Sequence, residues 1–159
     1  MNSQKYEEAV EQYMDIVYRT ALSCTKNKQD AEDVMQNTFI KLLQTDTCFS
    51  DDDHMRRWLI HVAVNECKSL WRSYWHKNVS SLEDYEPTST DGNSVHQDVF
   101  DAVMRLPQKY SLVVHLYYYE GYSAREISEI LKISQNNVQI RLMRARTRLK
   151  KQKKAAASI

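Results

Sequence analysis

The residues best suited to chemistry lie in the last forty positions, where capping residues, apolar spacing and basic side chains occur together. Ser123 and Glu126 form an S-x-x-E capping box, which starts a helix by satisfying its first free backbone donors. Ser134 caps a second helix after a short turn at Lys132 and Ile133. Apolar residues three or four apart give the two helices their buried faces: Ile127, Ile130 and Leu131, then Val138, Leu142, Ala145 and Leu149. The pattern predicts a helix-turn-helix whose second helix enters the DNA major groove.

Amide and guanidinium side chains crowd this second helix. Asparagine and glutamine pair with adenine N6 and N7, so we predict a duplex element centred on adenines with a flanking G·C pair. The alternative task for Asn136 and Asn137 is to cap and solvate the helix. From Gln139 to Lys154 the chain has eight basic residues and no acidic one, which suits phosphate contact. The candidates for contact with this duplex are Ser134, Gln135, Asn136, Asn137, Gln139, Arg141, Arg144 and Arg148.

A second basic region, residues 54–77, interleaves cations with aromatic rings. Cations that track phosphates and rings that stack on unpaired bases are what single-stranded DNA requires. Lys68 and Arg72 are the candidate contacts here. The alternative is that tryptophans at helical spacing are core residues, and we assign Trp58 to the core. The aromatic residues further along are Trp71, Tyr74 and Trp75, and we expect at least one of them to face outward.

No catalytic constellation is visible in the sequence. Ser123 and Ser134 have capping roles and no His–Asp partners, and two glycines cannot build a phosphate-binding loop. The three cysteines have no metal-ligand spacing, and we expect them to be reduced, buried thiols of a cytoplasmic protein. The acidic run 51–53 is interpreted as a loop and helix cap, with metal binding as the weaker alternative. We therefore expect a binding subunit that is not an enzyme and needs no cofactor or metal.

Composition and charge predict the fold class. Two glycines and two prolines in 159 residues favour long helices. The net charge of +1 hides blocks of −6 (1–53), +4 (54–77), −5 (78–121) and +8 (122–159), which suggests separate surfaces for separate partners. Residues 78–93 are acidic, polar and free of basic residues, as linkers often are. We predict an all-α protein of two small helical domains joined by a flexible linker: 1–77, 78–95 and 96–159.

Apolar periodicity places the individual helices. Ahead of the helix-turn-helix we expect helices at about 6–24, 30–44, 54–74, 96–106 and 107–120. Their expected core residues include Val34, Met35, Phe39, Leu42 and Leu43 on the second helix, and Met55, Trp58, Leu59, Val62 and Leu70 on the third. Neither a signal peptide nor an apolar run long enough to span a membrane is present, so membrane insertion is not expected.

Three stretches together resemble the extracytoplasmic-function (ECF) sigma factors, the smallest sigma-70-type subunits of bacterial RNA polymerase. DAEDVMQNTFIKLL (30–43) is similar to their core-binding helix, and RRWLIHVAVNECKSLWR (56–72) to their promoter-melting helix. Residues 106–146 are similar to their terminal DNA-binding domain. The resemblance implies a region 2-like domain for core polymerase and the −10 element, and a region 4-like domain for the −35 element.

The resemblance also implies roles for individual residues and partners. Glu32, Asp33 and Gln36 would bind a basic coiled-coil helix pair of the polymerase. Phe49 and Asn65 would line a pocket for one flipped promoter base, by ring stacking and hydrogen bonding. The partners implied are core RNA polymerase, promoter DNA and an inhibitory anti-sigma factor.

The sequence departs from the family pattern at several positions. Lys132 replaces a common glycine, and Asn137 and Gln139 replace the usual threonine and basic residue. Asn37 and Leu43 stand where glutamate and tryptophan are common. A free-standing helix-turn-helix regulator is the main alternative function, although it leaves the second and third helices without a task. A helical adaptor with no DNA role is the third, and the cationic stretch argues against it.

Overall fold

The described part of the protein consists of helices joined by short loops. The computed structural model describes the backbone of residues 1–77 and 94–157, and the side chains of these except 74–77, 94–98 and 154–157. The helices are α1 (Ser3–Thr25), α2 (Lys28–Gln44), α3 (Asp52–Lys77), α4 (Ser94–Met104), α5 (Gln108–Val114), α6 (Ala124–Leu131) and α7 (Gln135–Ala157). A π-helical turn, His115–Tyr119, follows α5 directly. The described residues contain no strand, and the predicted all-α class is confirmed.

The chain divides into two compact units, Met1–Val79 and Ser80–Ile159. Residues 78–93 of the predicted linker 78–95 lie outside the described residues, and the last two residues of that segment already belong to α4. No helix of the described part combines the length and apolarity that crossing a membrane would require.

Helices α1, α2 and α3 pack on one another to form the first unit. Its fully buried side chains include Val17, Ala21, Leu42, Leu59, Ile60, Ala63, Val64 and Cys67. The prediction that Leu43 points inward was wrong, since this side chain is 57% exposed. Successive helical residues differ by about 100° in direction, so burial of Leu42 turns its neighbour toward solvent. On α3 only Leu59 of the five expected core residues is fully buried; Met55, Trp58, Val62 and Leu70 are half-buried.

Two of the three cysteines belong to this core. Cys24 and Cys67 are buried free thiols, as expected, whereas Cys48 is an exposed free thiol in the loop between α2 and α3. Cys67 Sγ donates a weak hydrogen bond to the carbonyl of Ala21 at 3.9 Å. A hydrogen bond with Cys24 and burial raise the pKa of Cys67 well above its ordinary value. The expectation of buried packing therefore holds for the pair and fails for Cys48.

The second unit packs α4 and α5 against α7. Its core includes Val103, Leu106, Tyr110, Val114 and Ala145, with Leu149 packed against it. Pro107 precedes α5, as the sequence predicted, and Gly121 follows the π-helical turn at a φ of 75°. The buried side chains of His115 and Glu120 meet at that turn, with His115 Nε2 3.1 Å from Glu120 Oε1, a contact that the sequence did not reveal.

Candidate nucleic-acid interfaces

The helix-turn-helix forms through the local interactions that its sequence predicts. Ser123 Oγ accepts from the backbone N–H of Glu126 at 3.1 Å, and Glu126 Oε1 accepts from the N–H of Ser123 at 3.2 Å. Lys132 ends α6 in the left-handed conformation, with φ 58° and ψ 44°, and its N–H donates to the carbonyl of Ser128. Ser134 Oγ then accepts from the N–H of Asn137 at 3.0 Å and starts α7. The turn thus forms with lysine in a position that glycine occupies at less cost.

One face of α7 is buried and the opposite face is open. Val138, Leu142 and Ala145 are fully buried, and Leu149 is half-buried. The exposed face carries Asn136, Met143 and Thr147, and Met143 is 57% exposed. The first turns of such a helix are the part that reaches base edges in helix-turn-helix complexes.

The eight residues predicted to contact the duplex differ in their exposure and in the hydrogen bonds that they already make. Gln135, Asn136, Gln139, Arg144 and Arg148 are exposed, and Ser134 is exposed but acts as the helix cap. Asn137 is half-buried, and its Oδ1 accepts from Arg141 Nε at 3.1 Å. Asn137 therefore orients an arginine at the same time as its backbone N–H satisfies the cap.

The sequence analysis missed a set of tyrosines that contact the basic side chains of α7. Arg146 Nε donates to Tyr118 Oη at 2.7 Å. The Arg148 guanidinium lies 5.0 Å from the centre of the Tyr110 ring. These partners are 28 and 38 residues apart in the chain, so local spacing gave no signal for them. The clustering of Tyr117, Tyr118 and Tyr119 just before Gly121 was the one available hint.

In the first unit, the loop before α3 is held by aromatic contacts. The Phe49 ring is half-buried and packs edge-on against His54 at 5.2 Å and Trp58 at 5.5 Å between ring centres. Asp51 Oδ1 accepts from the N–H of His54 at 2.7 Å, the geometry of a helix cap. Among the described residues, no group of His, Cys, Asp or Glu side chains is arranged to hold a metal ion. The loop therefore presents Phe49 as part of a small aromatic platform.

Three polar candidates follow along the same face of α3. Asn65 and Arg72 are exposed, and Lys68 is half-buried. Their spacing of three and four residues puts them on one stripe, and Trp58 begins this stripe two turns before Asn65, about 10 Å along the axis. Trp71 instead turns inward, and its Nε1 donates to the carbonyl of Cys24 at 3.1 Å. The side chains of Tyr74 and Trp75 lie outside the described residues.

The exposed face of α2 is acidic at one end and apolar at the other. Glu32, Asp33 and Gln36 are exposed on its first half. Ile40 and Leu43, 49% and 57% exposed, continue the face. A shallow apolar groove runs beside it between α1 and α2, lined by Tyr6, Val10, Met14, Met35, Gln36, Phe39 and Ile40. This surface offers carboxylates and exposed apolar side chains side by side.

Both units match known protein families. Residues 9–77 match the family model of sigma-70 region 2, and residues 96–149 match that of sigma-70 region 4. The ECF RNA polymerase sigma factor SigM of Bacillus subtilis is 34% identical over 153 residues, which cover 91% of this chain and 92% of that protein. SigW of the same organism is 28% identical over 167 residues, with coverage of 92% and 88%.

Two solved structures share the fold. The sigma factor RpoE of Bartonella quintana, solved in complex with the anti-sigma factor NepR, aligns with a TM-score of 0.74 at 19% identity, covering 93% of this chain and 96% of that one. CnrH, solved in complex with the cytosolic domain of CnrY, aligns with a TM-score of 0.66 at 21% identity, covering 97% and 90%.

Proposed function

The chain belongs to the ECF sigma factors of the sigma-70 family, and we propose that its two units divide promoter recognition between them. Sigma factors are transcription initiation subunits, so the protein acts with RNA polymerase rather than as a free-standing helix-turn-helix regulator. In the proposal, residues 1–77 bind core polymerase and the −10 element, and residues 96–159 bind the −35 element. The observation that carries the proposal is that α7 exposes amide and cationic side chains to solvent. The same chain also has a separate unit of three helices.

In the second unit, α7 reads the −35 element. Gln135, Asn136 and Gln139 are exposed on the first two turns of the helix, where base edges are in reach. Asn137 holds Arg141, which makes Arg141 a pre-oriented fork for a guanine or a phosphate. Arg144 and Arg148 supply further positive charge without sequence information.

In the first unit, the aromatic platform and the α3 stripe capture the melted −10 strand. Phe49 stacks on an extruded base, Asn65 hydrogen-bonds a base edge, and Lys68 and Arg72 follow the phosphates. The support is the position of the required groups: a ring lies in the loop before α3, and an amide and two cations lie on one face of α3.

Two protein partners complete the proposal. Glu32, Asp33 and Gln36 bind a basic helix pair of core polymerase, which their exposure and negative charge support. An anti-sigma factor holds the free protein inactive in the cell. The similarity in fold to RpoE, which was solved bound to the anti-sigma factor NepR, supports this regulation.

The test of base reading is a comparison of two substitutions in α7. Loss of one base contact costs about 1–3 kcal/mol, so Asn136→Ala should relax the preference for particular adenines in a randomised-promoter selection. Arg148→Ala, a charge contact, should weaken all sequences alike and lower the salt dependence. The same adenine preference in the absence of Asn136 would contradict its role as a base reader.

A further inference from the structure

Tyrosines hold arginines of α7 in two separate groups of side chains, and only some of these residues belong to the proposed contacts. In the first group, the Arg146 guanidinium lies 5.6 Å from the centre of the Tyr118 ring and 6.0 Å from that of Tyr117. Its Nε also donates to Tyr118 Oη at 2.7 Å. Tyr118 is 54% exposed, so this contact forms at the surface without being required for packing.

The second group is centred on the buried Tyr110. The Arg148 guanidinium covers its ring at 5.0 Å, and Lys109 lies 5.1 Å from the same ring centre. Desolvation would raise the pKa of Tyr110, but a hydrogen bond with Arg144 and the charges of Lys109, Arg144 and Arg148 lower it below its usual 10.0. Arg148 thus lies over the face of the Tyr110 ring, and Arg144 interacts with its hydroxyl group.

The two groups lie on opposite flanks of α7. Arg144 and Arg146 are two positions apart, which turns them about 200° from one another around the helix. Arg148, two positions further on, returns to the flank of Arg144. The exposed face with Asn136 and Met143 lies between the flanks, roughly 80° from each. A helix that presents this face to base edges therefore presents one anchored group to either side.

The chemistry of each group suits a phosphate oxygen. The bond to Tyr118 uses the Nε donor of Arg146, one of five donors on a guanidinium. A ring beneath a guanidinium also fixes its plane, which lowers the entropy lost when the side chain meets an anion.

We propose that Tyr118–Arg146 and Tyr110–Arg144–Arg148 are two phosphate clamps, one for each DNA strand that borders the major groove beside α7. The proposal rests on the proposed −35 function of α7 and deepens it. Tyr118 and Tyr110 are positioning residues that act through their arginines. Because both backbones are held, α7 is centred between them, and its first turns face the base edges.

The experiment measures duplex binding by the holoenzyme, assembled from core polymerase and the full chain, at several salt concentrations. The probes are a duplex with the selected −35 element and a duplex with that element scrambled. The variants are Tyr118→Phe, Arg146→Gln and the double substitution, with Tyr119→Phe as the control because Tyr119 is a similarly exposed neighbour outside the Arg146 contact.

We expect Arg146→Gln to weaken binding to both duplexes by the same factor and to lower the slope of log K against log salt by about one. Tyr118→Phe should weaken both by about three- to tenfold, the value of one hydrogen bond, and should have no further effect once Arg146 is replaced. Tyr119→Phe should bind like the wild type.

Tyr118→Phe that binds like the wild type, or whose effect adds fully to that of Arg146→Gln, would overturn the clamp. So would an effect confined to the selected duplex, since that is the mark of base reading. A wild type with no preference for the selected duplex would contradict only the −35 assignment. The clamp would still be tested, because it predicts the salt dependence and the coupling between Tyr118 and Arg146 on either duplex.

Discussion

At the scale of single residues, the structure contains a buried lysine at the end of α1. Lys26 is 3% exposed and adopts the left-handed conformation, with φ 57°. Burial lowers its pKa from 10.5 to about 8, although the charge of Cys24 acts in the opposite direction. The sequence gives no signal for this burial, because lysines are rarely buried.

Lys26→Met should therefore stabilise the protein at neutral pH. The folded state binds its proton more weakly than the unfolded state does, so the charged lysine is penalised below pH 8 and the penalty fades as the pH rises toward 10.5. The difference between these two pKa values corresponds to a destabilisation of the folded state by at most about 3 kcal/mol. Urea unfolding of both proteins between pH 6 and 10.5 should show a gain for the variant that shrinks with pH. A gain that is constant with pH would contradict the titration of Lys26.

A second residue-scale prediction concerns promoter melting. Asn65→Ala should leave polymerase binding intact but weaken open-complex formation, since one base contact is worth about 1–3 kcal/mol. Ser69→Ala, an exposed change one turn further along α3, is the matched control. Permanganate reactivity of promoter thymines reports the melted state. Equal reactivity with Asn65→Ala and the control would remove Asn65 from the base pocket.

At the scale of helices, the sequence predicted local features such as helix caps correctly, but it did not predict contacts between helices. The capping box at Ser123 and the cap at Ser134 depend on residues three apart, and both form as predicted. The prediction that Leu43 points inward failed because apolar spacing alone does not show which part of an apolar stripe the neighbouring helices cover. The Tyr118–Arg146 contact spans 28 residues and requires the packing of α5 against α7 to exist.

The turn between α6 and α7 provides a stability prediction at this scale. Lys132 has φ 58°, a conformation that glycine adopts without a Cβ clash. Relief of this strain in Lys132→Gly should raise the free energy of unfolding by about 1 kcal/mol. The greater conformational entropy of glycine in the unfolded chain offsets part of this gain. Lys132→Ala retains the strained conformation and is the control. Thermal unfolding in which glycine is no more stable than alanine would contradict the strain at Lys132.

At the scale of the whole molecule, charge is segregated along the chain. Residues 1–53 have a net charge of −6, and residues 122–159 have +8. The acidic surface of α2 and the basic flanks of α7 therefore favour partners of opposite sign; in the proposed function these are a basic protein helix pair and DNA. Sequence alone predicted this division, because charge per segment needs no tertiary information.

Co-elution with core RNA polymerase on size-exclusion chromatography tests the central claim most directly. The wild type should co-elute, and Asp33→Lys should not, because it places a positive charge on the face proposed to meet basic helices. Asp15→Lys makes the same charge change at an exposed site on α1 and should co-elute. A wild-type protein that binds duplex DNA alone and never co-elutes with core polymerase would contradict the account.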